Sequence, residues 1–334
     1  MNSPSADDWA IALDGGTTNT RARLLRGGRI VAVARRAVGV RNAALAGGLS
    51  PLAEAVRDCL REVAGRANGA PLAGIVASGM LTAEVGLCPV PHLVAPAGID
   101  ELAAGVVARR LPEVWNQPIA FVPGLRTPPG PGPEGWADGD VMRGEECATL
   151  GAWEGLGRPG ACAFLWPGSH TKLIAVSATG QITRSFTTLG GELTAAVAHH
   201  TLIAASLPES WPTEPDTEAL ELGARVARAR GLGRAAFAVR LAHLAGALDV
   251  DHRAAFWIGA ATADDVAHLT SHPILATGLP VWVGGEQPRR SLYARWLAER
   301  HSGPVVPLSE ELAEAASALG ALAICRKAQS EGRR

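Results

Sequence analysis

A short apolar run followed by glycines, hydroxyls and one acid is the first feature of this chain that could do chemistry. Residues 10–13 lead into Asp14–Asn19, with the sequence DGGTTN, and a second strand-like run follows. The glycines let backbone N–H groups approach an anion, and the two threonines add hydroxyl donors. Asp14 would repel a bare phosphate, so its natural companion is a hydrated divalent cation. The turn therefore suggests a nucleotide tail with its metal, although Asp-Gly-Gly is also common in hairpin turns.

A second small polar turn, Pro167–Lys172, begins 153 residues after Asp14 and again lies between two strand-like runs. A tight turn, a third strand and a helical pattern follow each of the two turns, with the helices at about 50–66 and 192–206. The chain therefore repeats one structural unit, with little identity between the halves. Two such units facing each other across a cleft form the architecture shared by actin, hexokinase and the Hsp70 ATPase domain.

The predicted fold class is therefore α/β: a two-domain, actin-like (ribonuclease H-like) ATPase fold with duplicated βββαβα units around a nucleotide cleft. We expect an N-terminal domain over residues 1–130, a C-terminal domain over 131–308, and a C-terminal helix over 309–334 packing near the domain interface. Ten of the seventeen residues in Pro123–Gly139 are Gly or Pro. This composition predicts a loop without regular structure, either a solvated linker or an active-site flap.

Composition and charge argue against several classes of protein. The formal net charge is −1 and the sequence pI is about 6.8, which disfavours a nucleic-acid or membrane-surface role. The apolar runs are too short to span a membrane, and no secretory signal is predicted. The five cysteines lack CxxC spacing, which favours reduced, mostly buried thiols over a zinc site. We expect a cytoplasmic protein with no nucleic-acid or membrane partner, and a homo-oligomer stays open.

The segment Asp138–Glu146 combines four carboxylates and one arginine within nine residues. A kinase needs one group that accepts the proton of the attacking hydroxyl, and the guanidinium of Arg143 suits an acidic substrate. A solvated helix start is the alternative, since Asp and Glu are favoured in first helical turns. Arg143 near a helix N-terminus opposes the helix dipole, however, and this favours a functional use.

Two further sets of residues suggest nucleotide contacts. Gly284 and Gly285 end a predicted strand and would let the backbone approach a base and ribose, although an ordinary strand-to-helix turn needs the same residues. In the second polar turn, His170 and Lys172 could both contact phosphate. Lys172 could equally be an ordinary strand lysine.

Together, the two polar turns and the segment Val141–Glu146 resemble those of a known family, the 2-dehydro-3-deoxygalactonokinases of the actin/hexokinase superfamily. Two of the matching pieces, the Met-Arg-Gly-Glu-Glu and Pro-Gly-Ser-His-x-Lys motifs, are specific to that family. The pieces occur in family order over nearly the whole chain, and Gly284–Pro288 departs from the family pattern. They are Asp14–Arg21, Val141–Glu146, Pro167–Lys172, Gly190–Leu193, Ile258–Ala260 and the Ala-Leu-Gly-Ala stretch at 318–321.

The resemblance implies an ATP-dependent kinase that phosphorylates the 6-hydroxyl of 2-dehydro-3-deoxy-D-galactonate. Its partner would be a small-molecule sugar acid, and its cofactors would be ATP and Mg²⁺. Two alternatives stay open. One is a kinase for another sugar or keto-deoxy sugar acid, since a single hydroxyl is discriminated by pocket hydrogen bonds that a sequence does not reveal. The other is a non-catalytic, actin-like nucleotide switch.

Each predicted site residue has an expected role. Asp14 is the predicted metal ligand and a catalytic residue. Asp140 is the predicted base, 27 positions before Pro167, as is typical of hexokinase-like kinases. The alternative bases are Glu145, Glu146 and Glu192, and the helix dipole should lower the basicity of the first two. The predicted nucleotide-binding residues are Gly15, Gly16, Thr17, Thr18, Asn19, Gly168, Ser169, His170, Lys172, Gly284 and Gly285. The predicted substrate-binding residues are Arg143, Glu146, Glu192 and Arg21.

Overall fold

A computed structural model describes residues 8–276 and 278–332 of the chain. The strands, in chain order, are β1 (Trp9–Gly15), β2 (Thr20–Arg26), β3 (Arg29–Arg36), β4 (Leu72–Gly79), β5 (Leu93–Val94), β6 (Val107–Leu111), β7 (Trp115–Phe121), β8 (Leu125–Thr127), β9 (Asp140–Met142), β10 (Cys162–Trp166), β11 (Thr171–Val176), β12 (Ile182–Thr188), β13 (Val281–Val283) and β14 (Val305–Pro307). The α-helices are α1 (Val40–Ala46), α2 (Ser50–Gly65), α3 (Ile99–Ala104), α4 (Glu145–Gly155), α5 (Gly190–His200), α6 (Thr217–Arg230), α7 (Leu232–Leu244), α8 (Val250–Ser271), α9 (Arg289–Ala298) and α10 (Glu310–Ser330).

The chain divides into two compact units. Unit 1 comprises residues up to 161, residues 176–185 and residues from 309 onward, and unit 2 comprises residues 162–175 and 186–308. The strand order is β3-β2-β1-β4-β7-β6 in the first large sheet and β12-β11-β10-β13-β14 in the second. The predicted duplication is confirmed, because each sheet begins with the same three-strand meander and then adds a parallel strand from beyond a helical segment.

In unit 1 the sheet is covered by helices because its strands are apolar on both faces. Ile11 and Leu13 of β1 pack with Leu24 of β2 against Val56 and Leu60 of α2. This helix begins where the sequence predicts, with Pro51 in its first turn. The core therefore fixes β1 and β4 side by side, parallel, with Gly15 opposite Gly79.

In unit 2 the equivalent core lies around β10 and β13. Leu165 and Val283, from these two strands, pack with residues of α6, α8 and α9, including the fully buried Trp296. A smaller apolar cluster joins α6, α7 and α8 around Trp257. Among the described residues, no helix is long and apolar enough to cross a membrane.

The last helix, α10, crosses α4 at two glycines and belongs to unit 1. A Cβ on Gly151 would lie 2.0 Å from the carbonyl oxygen of Ala316, and one on Gly320 would lie 1.9 Å from that of Cys147. Such contact is closer than any side chain allows, so the small residues of α10 pack as the sequence predicts. The domain boundary expected at residue 130 falls inside unit 1, because α4 packs against α10.

The prediction that Pro123–Gly139 lacks regular structure is wrong in part. Leu125–Thr127 forms β8, which pairs with β5 and β9 in a separate three-stranded sheet, and Gly135–Asp138 forms a 3₁₀ turn. The three residues of β8 contain neither Gly nor Pro, and Thr127 Oγ1 lies 3.2 Å from Ser185 Oγ. The five cysteines are buried and free, as predicted.

Candidate active site

The carboxyl ends of β1 and β4 meet at the first polar turn in unit 1. Asp14 lies opposite Ser78, and the following Gly79 has a φ of +69° that favours glycine. A Cβ on Gly79 would lie 2.4 Å from the Gly15 carbonyl oxygen and 3.0 Å from Asp14 Oδ1. Open α/β sheets bind ligands beyond the carboxyl ends of their strands, and Asp14 lies at that edge.

The turn itself is held by the backbone that leads into α1. Gly16 N–H donates to the Asn19 carbonyl at 2.8 Å, which closes the turn, and Arg41 N–H donates to the Thr17 carbonyl at 3.0 Å. Thr17, Thr18 and Asn19 are exposed. Their hydroxyl and amide groups are therefore available to a ligand that approaches from solvent.

The N-terminus of α4 reaches the same edge of the sheet. A Cβ on Gly144 would lie 3.2 Å from Gly79 Cα and 3.8 Å from Asp14 Oδ1, so the predicted Met-Arg-Gly-Glu-Glu motif and Asp14 do come together. We call this group of residues, Asp14, Gly79, Arg143 and Gly144, the unit-1 corner. Because a helix N-terminus carries partial positive charge, it favours anions at this position.

Arg143 is held in a fixed position by three acceptors. Its Nη1 donates to Thr82 Oγ1 at 2.9 Å, and its Nη2 donates to the Val90 carbonyl at 2.8 Å and lies 3.3 Å from His92 Nδ1. Burial lowers the pKa of His92, and the Arg143 and Arg126 charges lower it further, so a neutral ring accepts the guanidinium hydrogen. A guanidinium has five N–H donors, so this arrangement leaves donors for a ligand.

Glu146 is fully buried, and this changes its expected role. Both of its carboxyl oxygens lie 2.8 Å from the Gly144 N–H, and burial, reinforced by the Glu145 charge, raises its pKa to about 7. The expectation that the helix dipole would lower its basicity is wrong, because desolvation outweighs the dipole. The predicted substrate contact is not supported by a buried side chain, so the structure favours a role for Glu146 in holding the turn at Gly144.

The remaining predicted residues of unit 1 lie on neighbouring strands and on α4. Arg21, on β2, is directly opposite Asp14 on the same face of the sheet. Asp140 is partly buried on β9, paired with Thr127 and four residues before Gly144. Glu145 is the first residue of α4.

The unit-1 corner fits a hydrated magnesium ion better than a fully protein-bound metal. The described residues contain no group of three or more His, Cys, Asp or Glu side chains that could hold a metal ion. Magnesium usually keeps several waters and binds through one or two carboxylates plus substrate phosphates. Asp14 supplies one hard oxygen donor at this edge, and a hydrated ion would need no further carboxylate from the protein.

In unit 2 the second polar turn is backed by the N-terminus of α5. A Cβ on Gly191 would lie 2.0 Å from the Gly168 carbonyl oxygen, and Glu192 N–H donates to the Ser169 carbonyl at 2.8 Å. The Glu192 carboxylate lies 3.0 Å from His170 Nε2, with both side chains exposed. The predicted residues Gly168, Ser169, His170 and Glu192 therefore form one local group.

A cavity of about 720 Å³ opens beside this turn, entirely within unit 2. This volume is typical of small-molecule sites, and the walls combine apolar side chains with a few polar groups. The lining includes Pro167, Gly168, Ser169, Gly191, Trp211, Leu220, Ile258, Thr262, Gly285, Gln287, Arg289 and Tyr293. We call it the unit-2 cavity.

The two glycines after β13 have different roles. Gly285 lines the unit-2 cavity and has a φ of +83°, so the strand-to-helix turn requires glycine there. Gly284 instead packs against Trp166, since a Cβ on it would lie 2.0 Å from the indole ring. Lys172 is also inside the protein: it is 5% exposed and its Nζ donates to Thr187 Oγ1 at 2.6 Å. This position corresponds to the strand-lysine alternative.

Sequence reasoning missed several residues that hold these two sites. Thr82 and His92, which fix Arg143, come from segments without a recognisable motif. Asp265 and Tyr293 lie behind the second turn, bonded to each other at 2.6 Å. The sequence contains no motif that marks Asp265, and Tyr293 is distinguished only by being the single tyrosine of the chain.

Three comparisons with known proteins agree with one another. A sequence profile of the 2-keto-3-deoxy-galactonokinase family matches residues 14–321. The chain is 28% identical over 270 residues to the 2-dehydro-3-deoxygalactonokinase of Escherichia coli K12, covering 78% of this chain and 80% of that protein. It resembles the crystal structure of a candidate 2-dehydro-3-deoxygalactonokinase from Sinorhizobium meliloti with a TM-score of 0.74 and 25% identity, over 95% and 98% of the two chains.

The fold is also similar to that of a more distant protein. The activator of 2-hydroxyisocaproyl-CoA dehydratase from Clostridium difficile, solved with bound ADPNP, matches with a TM-score of 0.50 and 13% identity, over 98% of each chain. At that identity the likeness shows the fold alone. The predicted actin-like fold class is confirmed by these structures together.

Proposed function

Because the chain belongs to the 2-keto-3-deoxy-galactonokinase family, and is therefore a kinase that phosphorylates an alcohol, we propose that it transfers the γ-phosphoryl group of ATP to the 6-hydroxyl of 2-dehydro-3-deoxy-D-galactonate. The products are the 6-phosphate and ADP. The observation that carries this choice of substrate is the fixed guanidinium of Arg143, in the segment that adjoins Asp14.

Arg143 binds the substrate carboxylate. Its contacts with Thr82 and Val90 fix the plane of the guanidinium before substrate arrives, so little side-chain entropy is lost on binding. The positive charge and the N–H donors that these contacts leave free favour a carboxylate over a neutral hydroxyl group. A neutral sugar is therefore a poorer substrate than an acid. Arg21 and Glu192 remain proposed as further substrate contacts.

Asp14 orients a hydrated Mg²⁺ that neutralises phosphate charge when bound. The backbone N–H groups and hydroxyls of Gly15–Asn19 bind phosphate oxygens, and the turn at Gly168–His170 does the same in unit 2. The unit-2 cavity takes the adenosine, with Gly285 allowing the backbone to approach it. Phosphoryl transfer then depends mainly on positioning and charge neutralisation.

Asp140 accepts the proton of the acceptor hydroxyl in this scheme. It is partly exposed, whereas the alternative base Glu146 is buried and bonded to Gly144 N–H. Glu145 remains the second choice. Removing a base affects the transition state more than the ground state, so it lowers kcat and leaves substrate binding nearly unchanged. Removing a binding residue instead weakens substrate binding, and kinetics therefore distinguish the two roles.

The test is a coupled ADP-release assay with Mg-ATP across a panel of 2-keto-3-deoxy sugar acids and their neutral analogues. We expect the highest kcat/KM with 2-dehydro-3-deoxy-D-galactonate, and very low turnover by the Asp14→Asn variant with that acid. A higher kcat/KM with a different sugar acid would favour a related kinase. ATP binding without turnover on any member would favour the nucleotide switch.

A further inference from the structure

Unit 2 contains a buried network of polar side chains behind the second polar turn. Asp265, on α8, is 6% exposed, and its two carboxyl oxygens accept separate hydrogen bonds. Oδ1 accepts from Thr188 Oγ1 at 2.5 Å and Oδ2 accepts from Tyr293 O–H at 2.6 Å. The Tyr293 oxygen also lies 3.3 Å from Thr171 Oγ1. One carboxyl group thus connects α8 to the end of β12, to α9 and to the start of β11.

The chain is shaped around this carboxyl group where α5 begins. A Cβ on Gly190 would lie 2.3 Å from Asp265 Oδ2, so only glycine fits there, and Gly190 N–H lies 3.4 Å from Thr188 Oγ1. The next two residues, Gly191 and Glu192, are those that back the polar turn at Gly168 and Ser169. A displacement of Thr188 would therefore shift Gly191 and Glu192, which contact Gly168 and Ser169 of the turn.

Burying a carboxyl group is costly, and a well-packed apolar side chain would often be at least as stable. The network is therefore poorly explained by stability alone. Tyr293 extends it to Thr171, the residue that directly follows His170, so the same carboxyl group reaches the polar turn by a second route.

We propose that Asp265 is a positioning residue that holds the turn at Gly168 and Ser169 in its phosphate-binding conformation, acting through Thr188 and the N-terminus of α5. This inference rests on the function proposed above. The polar turn contacts the phosphates beyond the first, so the network contributes to binding of those phosphates and contributes little to binding of the adenosine. Its loss should therefore weaken ADP far more than AMP.

The experiment measures the Kd values of AMP and ADP by titration calorimetry, with Mg²⁺, for the wild type and matched variants. Thr188→Val keeps the shape of the side chain and removes the hydroxyl, while Thr188→Ser retains a hydroxyl. We expect Thr188→Val and Asp265→Asn to weaken ADP binding about tenfold, the effect of one lost hydrogen bond to a buried carboxyl group, with AMP binding within about twofold of wild type. Thr188→Ser should restore most of the loss.

The control is Asp264→Asn, which changes the neighbouring carboxylate on α8 that lies near His268 instead of Thr188. It should leave both affinities unchanged. If Asp265→Asn does not fold, Thr188→Val and Thr188→Ser decide the question. Equal weakening of AMP and ADP, or no weakening of either, overturns the positioning role while the kinase assignment stands. Wild-type protein that binds neither nucleotide would instead remove the proposed function.

Discussion

Arg143 shows how the fold fixes the orientation of a single side chain. Its contacts come from Thr82, Val90 and His92, which lie 51 to 61 residues away in the sequence. A sequence pattern can suggest that an arginine binds an acid, but these supporting contacts depend on the folded chain. The motif was therefore predictable from the sequence, whereas the orientation of the guanidinium was not.

The first prediction concerns the substrate carboxylate. Arg143→Ala should raise the KM for the sugar acid by about tenfold to a hundredfold, because charged hydrogen bonds are lost, while the KM for ATP changes little. The KM of Arg143→Lys for the sugar acid should lie between those of the wild type and Arg143→Ala, since lysine keeps the positive charge but does not reproduce the guanidinium's hydrogen bonds. Steady-state kinetics with Arg110→Ala, an exposed arginine on β6, provide the control. Equal damage with a carboxyl-free analogue would indicate a structural role.

The second prediction concerns the base. Asp140→Asn should abolish turnover while the Kd values for ATP and the sugar acid stay near those of wild type, because a base acts in the transition state. Asp138→Asn, an exposed carboxylate two residues earlier, is the matched control and should retain its kcat. If Asp140→Asn keeps most of its kcat, the proton goes elsewhere, and Glu145→Gln becomes the variant to measure.

The third prediction follows from the raised pKa of Glu146. In the folded chain this pKa is about 7, above its ordinary value of 4.5, so the folded state binds more protons than the unfolded state between these pH values. The stabilisation of the folded state by protonated Glu146 is complete below pH 4.5 and is lost as the pH rises through 7. The contribution of Glu146 should therefore make the free energy of unfolding, measured in urea, higher at pH 5.5 than at pH 7.5. The Glu146→Gln variant should lack this contribution, so its difference between the two pH values should change accordingly. Glu54→Gln, an exposed acid on α2, should leave that difference unchanged.

At the scale of elements, the sequence predicted most strands and helices but missed the smallest ones. The meanders were predictable from short apolar runs around turns, and the three helices α2, α4 and α10 from their first turns, which contain Pro51 in α2 and paired glutamates in α4 and α10. β8 has only Leu125–Thr127 between glycines and prolines, and it forms because β5 and β9 supply hydrogen-bond partners. Local composition predicted a loop there because pairing with distant strands does not appear in local composition.

The fourth prediction uses two helical glycines with opposite surroundings. Gly320→Ala should lower the free energy of unfolding by about 1–3 kcal/mol or more, because its Cβ would meet the backbone of α4 and overpacking outweighs the gain in helix propensity. Gly233→Ala, in α7, has nothing within 4 Å and should raise that free energy by up to about 1 kcal/mol. Urea unfolding monitored by circular dichroism measures both. Equal effects at the two positions would contradict the tight crossing of α4 and α10.

At the scale of the whole molecule, each unit has its own core and its own polar turn after its first strand. Unit 1 carries Asp14 and Arg143, and unit 2 carries the cavity beside Ser169. The duplicated fold could be predicted because both halves repeat strands around a polar turn. The unit-2 cavity could be predicted only in part, because Gly168, Ser169 and Gly285 line it together with residues of α6, α8, α9 and a loop whose sequences carry no nucleotide motif.

The last prediction is that the two ligands protect different units from hydrogen exchange. Ligand binding stabilises the structure that makes the contacts, so it slows local opening there most strongly. The sugar acid alone should slow exchange in residues 79–92 and 140–147, which contain Arg143 and its three acceptors. AMP, which lacks the outer phosphates, should slow exchange in residues 167–169 and 285–295 around the cavity. Mass spectrometry of peptides from the Arg143→Ala variant gives the control, because at an acid concentration near the wild-type KM this change should remove most of the protection by the acid and leave protection by AMP intact. Protection of residues 285–295 by the acid, with none at 79–92, would mean that the acceptor binds in unit 2 and that Arg143 has another role.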